Sequence, residues 1–366
     1  MRVPINKPIL GEEEKKLVLR VLESGTLTNA SLSGGPMVRR FEEEFAEFIG
    51  VRHAIAVNSG TAALYASLLA LNIGPGDEVL VPSFTFLATA NVILLVGAKP
   101  VFVDISLEDY NIDVQDLERK ITQKSKAVIP VHLYGFPAKM EEIMEIAEKY
   151  GLYVIEDACQ AHGSLYKGKK AGSIGHLAAF SFYPSKVITT GEGGMITTND
   201  DELAEKLRSI RTHGQLKGYD SVRLGFNLRM PEMEAAVGIA QLGKIKYFLE
   251  KRRENAYRLM EFLDNPNIVK PFEDDERKHN WYLFTVRFDC QETRDRALKK
   301  LREEGIGATI YYDPPVHLTP LYSQLGYSKV PLPRTEQASK TVLSLPVHPL
   351  VEEEDLKLIA EILNRL

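Results

Sequence analysis

An α/β fold on a mainly parallel sheet, followed by a smaller C-terminal α+β domain, is what this sequence predicts. Three observations carry the expectation. From His53 to about residue 198, short apolar runs alternate with helical stretches, the pattern of βαβ crossovers that cover a parallel sheet on both faces. Helical sequence dominates roughly 231–263. After the Pro-, Asn- and charge-rich stretch 264–279, the texture changes to WYLFTVRF (281–288), a helix near 292–305 and Pro-broken strands. With 366 residues, there is room for a large domain over 1–250, N-terminal helix and loop included, and a small one over 251–366.

Gly11–Gly25 reads as an exposed helix, because Glu12, Glu13 and Glu14 suit its N-terminal dipole and Gly25 suits a stop. Residues 25–35 (GTLTNASLSGG) are small, polar and aperiodic, hence a loop. Val38, Phe41, Phe45 and Phe48 then mark a helix with one buried face. HAIAV (53–57) is a strand leading through Ser-Gly-Thr into a helix with Leu64, Leu68 and Leu71. EVLVP (78–82), a helix over 86–96, and PVFVD (100–104) follow; KAVIPVH (126–132), a charged helix over 138–150 and LYVIED (152–157) continue the alternation. AAFSF (178–182) and GMITT (194–198) read as further strands of the same sheet.

Composition excludes several function classes. Net charge is −5 from 45 basic and 50 acidic residues, with no basic stripe, which argues against a nucleic-acid partner. Two cysteines, Cys159 and Cys290, form no disulfide framework, and eight scattered histidines offer no metal-ligand spacing. The N-terminus lacks the apolar core of a signal peptide, and the longest apolar stretch, Val92–Gly97, is too short to span a bilayer. The expectation is a soluble, cytoplasmic protein.

Common nucleotide motifs fail on their chemistry. GSLYKGKK (163–170) has Lys170 where a P-loop needs a hydroxyl for Mg²⁺, and reads instead as a hairpin-like turn. Asn58-Ser59-Gly60-Thr61 lacks the three-glycine dinucleotide fingerprint. Tyr183 and Lys186 are three apart, not the four of a helical Tyr/Lys pair, and Pro184 disfavours helix at Tyr183.

The remaining features share one edge of the expected sheet. Lys186 follows an apolar strand and a Tyr-Pro corner, where a partly desolvated lysine can form a Schiff base; on position alone, a surface lysine is the commoner case. Asp157 ends the strand LYVIE at the carboxyl edge, where its carboxylate could hold a pyridine nitrogen protonated or simply cap a turn. Ser59-Gly60-Thr61 opens a helix whose N–H groups favour an anion, although it is also an ordinary N-cap. Phe86 lies just beyond EVLVP, free to stack on a flat ring or to pack in the core.

In order, NSGTAAL, GDEVLVPSFTFLATAN, PVFVD, VIEDACQAHG, FSFYPSK, TTGEGGMITTND and GFNLRM–EAAVGIAQL resemble the DegT-type sugar aminotransferases, from about residue 2 to 350. The resemblance implies a fold-type I pyridoxal 5'-phosphate (PLP) transferase. It implies Lys186 as the Schiff-base lysine, Asp157 paired with the pyridinium nitrogen, Gln160 on the ring hydroxyl and Phe86 stacked on the ring. Gly60, Thr61, Ala62 and Ser181 would form the phosphate site, and Asn227 would reach a phosphate in the partner subunit of a homodimer. It further implies amino transfer from L-glutamate, through pyridoxamine phosphate, to a nucleotide-linked keto sugar in amino-sugar or polysaccharide biosynthesis. The related sugar dehydratases carry His at the Lys186 position, which favours transamination over dehydration; a non-catalytic regulatory relative is the other alternative. VPINKPILG and ITTGEGGM look most like the branch acting on 4-keto-6-deoxy sugars, such as perosamine synthases. The loop 25–35, with Asn29, and the segment YYDPPVHLTPLY (311–322), with His317, are expected to shape the sugar site, though a structural role for His317 is as ordinary.

Overall fold

The computed structural model describes all 366 residues. Seven strands make the central sheet: β1 (His53–Val57), β2 (Glu78–Pro82), β3 (Lys99–Val103), β4 (Ser125–Val128), β5 (Tyr153–Asp157), β8 (Leu177–Ser181) and β9 (Gly194–Thr198). Between β5 and β8, the two-residue strands β6 (Leu165–Tyr166) and β7 (Lys169–Lys170) form the hairpin expected at 163–170, with Lys167 and Gly168 both at positive φ in its turn. The sheet order is β1-β9-β8-β5-β4-β2-β3. β9 is antiparallel to both its neighbours and every other pairing is parallel.

Helices cover both faces. α3 (Gly60–Ala70) and α4 (Leu87–Leu95) are apolar nearly all round, as suits helices sunk against a sheet. α1 (Glu12–Ser24) ends at Gly25 in the left-handed region, and α2 (Pro36–Ile49) buries Val38, Phe41, Phe45 and Ile49 against the opposite face. α6 (Met140–Tyr150) precedes β5. Two helices lie where no element is expected, α5 (Val114–Arg119) and α7 (Asp201–Arg211). Both start from an Asp N-cap, at Asp113 and Asp200, and α7 buries Leu203, Leu207 and Ile210 at helical spacing. The strand expected over 126–132 stops at Val128, because Pro130 has no N–H for the ladder. A small hairpin, β10 (Gln215–Lys217) and β11 (Asp220–Ser221), precedes α8 (Glu232–Gly243) and α9 (Ile245–Phe262).

β12 (Arg277–Lys278) pairs with β6. The second core then forms around β13 (Phe284–Arg287), antiparallel to β14 (Val342–Leu345), with α10 (Gln291–Glu303) packed beside them. Instead of Pro-broken strands to the end, the chain builds α11 (Pro320–Gln324), α12 (Pro333–Thr341) and α13 (Glu353–Asn364) around the single strand β14. Leu356, Ile359, Ala360 and Leu363 give α13 its buried stripe. Residue 250 falls inside α9, and Val3 lies in the second core, bridged in parallel to Ile306. α9 thus runs unbroken through the expected boundary near 250, and the first residues pack with the second core through the apolar Val3. No helix is long and apolar enough to cross a membrane.

Candidate active site

The carboxyl ends of β1, β2, β5 and β8 converge on one edge of the sheet. β5 delivers Asp157, 5% exposed. Its Oδ2 accepts from the Thr89 hydroxyl at 2.8 Å and its Oδ1 from the Cys159 N–H at 3.2 Å. Thr85 Oγ1 lies 3.0 Å from Thr89 Oγ1. Since Thr89 spends its proton on Asp157, Thr85 donates to Thr89, and the hydroxyls form a directed chain towards the carboxylate. The Cys159 thiol is held well above its usual range by burial and the charge of Asp157, with Lys186 opposing. It therefore lies within the influence of both predicted catalytic residues.

β1 runs through Ser59 into α3. The Ser59 hydroxyl caps the helix by accepting from Ala62 N–H at 3.0 Å. Of the predicted phosphate-site residues, Ala62 thus already has a partner for its N–H, and Gly60 and Thr61 open the helix ahead of it. Gly60 touches the end of β8: a Cβ there would sit 2.8 Å from Ser181 Cβ and 2.9 Å from Cys159 Sγ. At Gly194, which opens β9, a Cβ would lie 2.3 Å from the Ser59 carbonyl oxygen and 2.8 Å from Gly60 N. The cradle of helix N–H groups beside the Ser181 hydroxyl exists because two glycines let three chain segments meet.

Beyond β8 the chain turns rather than forming helix, with Lys186 N–H donating to Tyr183 O at 2.9 Å. Lys186 Nζ lies 4.8 Å from the ring centre of Tyr282, whose hydroxyl is 3.1 Å from Ser185 Oγ. Phe86, the N-cap of α4, keeps its ring 60% exposed at the same edge, an unusual setting for a phenylalanine and a suitable one for stacking on a planar ligand. Gln160 is held at both ends: Oε1 accepts from Tyr134 N–H at 2.8 Å and Nε2 donates to the Tyr312 hydroxyl at 2.9 Å.

Three predicted residues stand apart. Asn29 is exposed, and its Oδ1 accepts from Ser31 N–H within its own turn. Asn227 is exposed, its carbonyl 3.4 Å from Asn58 Nδ2, with its side chain turned to no partner in its own chain. His317 is wholly buried. Its Nδ1 is 2.7 Å from Ser83 Oγ, which also accepts from its main-chain N–H at 2.9 Å, and burial lowers its pKa. In this single chain the ring ties 316–318 to Ser83, immediately after β2. Thr85, Thr89 and Tyr282 belong to the site without having been expected there, and Tyr312 lies in the segment expected to shape it. For the threonines a signal existed, two hydroxyls one helical turn apart immediately after a strand.

A buried carboxylate, a helix N-terminus cradled by glycines, an exposed aromatic ring and a lysine on a non-helical turn fit a flat phosphorylated pyridine. Comparisons agree. The model of the DegT/DnrJ/EryC1/StrS aminotransferase family matches residues 8–364. GDP-perosamine synthase of Caulobacter vibrioides is 39% identical, covering 100% of this chain and 98% of that protein. A UDP-N-acetyl-3-dehydro-alpha-D-glucosamine 3-aminotransferase of Acidithiobacillus ferrooxidans is 41% identical over 93% and 91%. A pleiotropic regulatory protein of Geobacillus stearothermophilus is 42% identical over 96% and 94%. Among solved structures, S. venezuelae DesV in complex with a ketimine intermediate superposes with a TM-score of 0.91 at 38% identity, over 96% of this chain and 94% of that one.

Proposed function

Because the chain belongs to the DegT/DnrJ/EryC1/StrS aminotransferase family, we propose that this PLP-dependent enzyme transfers an amino group from L-glutamate to a nucleotide-linked keto sugar. The observation that carries the reading is the meeting of Asp157, the α3 N-terminus, Phe86 and Lys186 at one sheet edge.

PLP, when bound, would supply an electron sink for proton transfer at the carbon that bears the transferred nitrogen. Asp157 is the residue that keeps the pyridine nitrogen protonated, and its own two donors, Thr89 and Cys159 N–H, fix its carboxylate plane. Gly60 and Thr61 N–H with the Ser181 hydroxyl, next to the capped Ala62, hold the phosphate. Gln160 meets the ring hydroxyl, and since its oxygen is taken by Tyr134 N–H, it does so as an amide donor. Phe86 covers the ring. Lys186 Nζ would hold the cofactor and, once freed by the amino donor, would take the donor's α-proton as general base and deliver it to the cofactor's C4′ carbon as general acid.

Amination at C4 of a 4-keto-6-deoxy sugar is supported by VPINKPILG, ITTGEGGM and the full-length similarity to a perosamine synthase; the relative named as a 3-aminotransferase supports C3. Asn29 and the 311–322 segment bearing His317 shape the sugar side, His317 from behind through Ser83. The exposed side chain of Asn227 supports a homodimer in which it reaches the partner's phosphate.

The test measures 2-oxoglutarate formed from glutamate with GDP-, dTDP- and UDP-linked 3-keto and 4-keto sugars, beside Lys186→Ala. A colourless wild type that takes up no PLP would overturn the whole reading, and turnover of 3-keto sugars alone would overturn the C4 assignment. Cofactor uptake without turnover of any sugar would instead suit the regulatory role carried by the name of the Geobacillus relative. Mixing Lys186→Ala with Asn227→Ala subunits should restore about a quarter of the active sites if sites are shared across a two-fold dimer, and none if they are not.

A further inference from the structure

Arg252 on α9 is a buried cation, 2% exposed, for which no carboxylate comes within ion-pair distance. Burial lowers its pKa to about 10. Such a charge is expensive to bury, and its contacts are specific. Nη1 donates to the carbonyls of Trp281 and Tyr282 at 3.3 and 3.2 Å, and Nη2 donates to Asn6 Oδ1 at 2.6 Å. Asn6 uses its other end on the site: Nδ2 donates to Pro184 O at 3.1 Å and lies 3.5 Å from Lys186 O. With two carbonyls on one side and a guanidinium on the other, only one orientation of the Asn6 amide satisfies both.

The contacts close a ring. The Lys186 main chain is held by Asn6, Asn6 by Arg252, and Arg252 by the Tyr282 carbonyl; the Tyr282 ring then lies 4.8 Å from Lys186 Nζ and its hydroxyl meets Ser185. The N-terminal segment reaches this point along the second core. Arg2 and Val3 N–H donate to Gly305 O, Gly307 N–H donates to Val3 O at 2.7 Å, and His348 Nε2 lies 3.0 Å from Pro4 O.

We propose that Asn6 and Arg252 are positioning residues for Lys186: the N-terminal segment is a tether that links the small domain to the main chain of the cofactor-bearing lysine and fixes where Nζ stands. The proposal rests on the reading of Lys186 above. Both tether residues act through Lys186 and Tyr282, not on substrate. Asn6 is the sharper probe, because Asn6→Asp keeps the acceptor for Arg252 while replacing the donor that faces Pro184 and Lys186 with an oxygen.

The experiment uses the full chain loaded with PLP. It records the visible absorption of the bound cofactor against pH, the single-turnover rate of bleaching by L-glutamate, and the urea midpoint, for wild type, Asn6→Ala, Asn6→Asp and Arg252→Lys. Expected are about tenfold slower bleaching in both Asn6 variants, in keeping with the rate sensitivity to small misplacements of a reacting group, and a shifted pH midpoint of the visible band. Asn6→Asp should keep a near-wild-type urea midpoint, and Arg252→Lys should be slowed less than Asn6→Asp. Wild-type bleaching and pH midpoint in Asn6→Ala would overturn the tether. So would recovery in Asn6→Asp, which would reduce Asn6 to a partner for Arg252. A wild type with no visible band defeats the reading of Lys186 itself, and the wild-type control separates that failure from failure of the tether alone.

Discussion

Gly60→Ala tests whether the closeness of three chain segments builds the phosphate cradle. The new Cβ would stand 2.8 Å from Ser181 Cβ, 2.9 Å from Cys159 Sγ and 3.3 Å from Ser181 Cα. Gly60 does not have a positive φ, so alanine meets no backbone penalty there. Two effects compete. Alanine favours helix over glycine by about 1 kcal/mol in a helix interior, and by less at a first helical residue. Overpacking a well-filled site costs about 1–3 kcal/mol. One of the close atoms is main chain and cannot rotate away, so overpacking should win by about 1–2 kcal/mol. The relief must push β8 and α3 apart, which moves the Ser181 hydroxyl relative to the Gly60 and Thr61 N–H groups, and PLP affinity should fall by about tenfold, or ~1.4 kcal/mol. Cys159→Ala removes one of the clashing atoms. Urea unfolding of the apoprotein, with PLP titration followed by absorbance, should therefore give a coupling of about 1 kcal/mol between the two substitutions in a double-mutant cycle. Additive effects, or a Gly60→Ala protein binding PLP as tightly as wild type, would refute the reasoning.

Three further outcomes follow from single contacts. Thr89→Val keeps the shape but removes a donor from the buried Asp157 carboxylate, and should destabilise the apoprotein by about 1.5–3 kcal/mol in urea; Thr85→Val, one step along the chain, should cost less, and the reverse order would contradict the assigned donor direction. His162 is pushed down to about 3, by burial first and the charge of Lys186 second. Its folded pKa lies below the unfolded value of about 6.5, so its contribution is complete above pH 6.5 and declines as pH falls towards 3, by about 1.4 kcal/mol per unit; His162→Phe, among Phe180 and Phe182, should flatten the loss between pH 7.5 and 5 by about 2 kcal/mol, and an unchanged slope would exclude it. Arg211 holds the buried Glu42 together with the carbonyls of Ala56 and Leu32, so Arg211→Met should cost about 3–5 kcal/mol, whereas Lys15→Met, from an exposed pair with Glu12, should leave the urea midpoint unchanged.

What was legible in the sequence is what depends on neighbours along the chain. HAIAV, EVLVP and GMITT form strands with the expected ends because each is a short apolar run between polar or turn residues. Asp157 could be assigned to the sheet edge because it is the residue at which such a run stops. The motifs of the family then single out what periodicity cannot, one lysine among the many in the chain. Contacts between distant segments left no such mark. Thr89 and Asp157 are 68 residues apart, Gln160 and Tyr312 are 152 apart, and Asn6 and Lys186 are 180 apart. His317 shows the same limit from the other side. A histidine among prolines within the predicted sugar segment suits a ligand contact and a structural role alike, and only the fold shows that Ser83 meets both its ring and its N–H.

The antiparallel strand explains why Lys186 belongs to this edge at all. After each of β1, β2, β3, β4 and β5 the next parallel strand requires a crossover, which carries the chain back to the opposite edge before it re-enters the sheet. β8 is instead followed by β9, antiparallel to it, with Ser181 paired to Gly194. The twelve residues from Phe182 to Gly193 therefore leave and re-enter at the carboxyl edge and cannot stray from it. Both of their ends abut the α3 N-terminus: Ser181 through Gly60, and Gly194 through the Ser59 carbonyl. Asn6 holds Pro184 and Lys186 from a third direction. A lysine on a turn is ordinarily mobile; here the turn is closed by one sheet, one helix end and one strap that runs from the second core. The same topology sets β1 and β8 on either side of β9, so the α3 N-terminus after β1 and the lysine after β8 share one edge, and the glycine that opens the strand between them lets the segments approach.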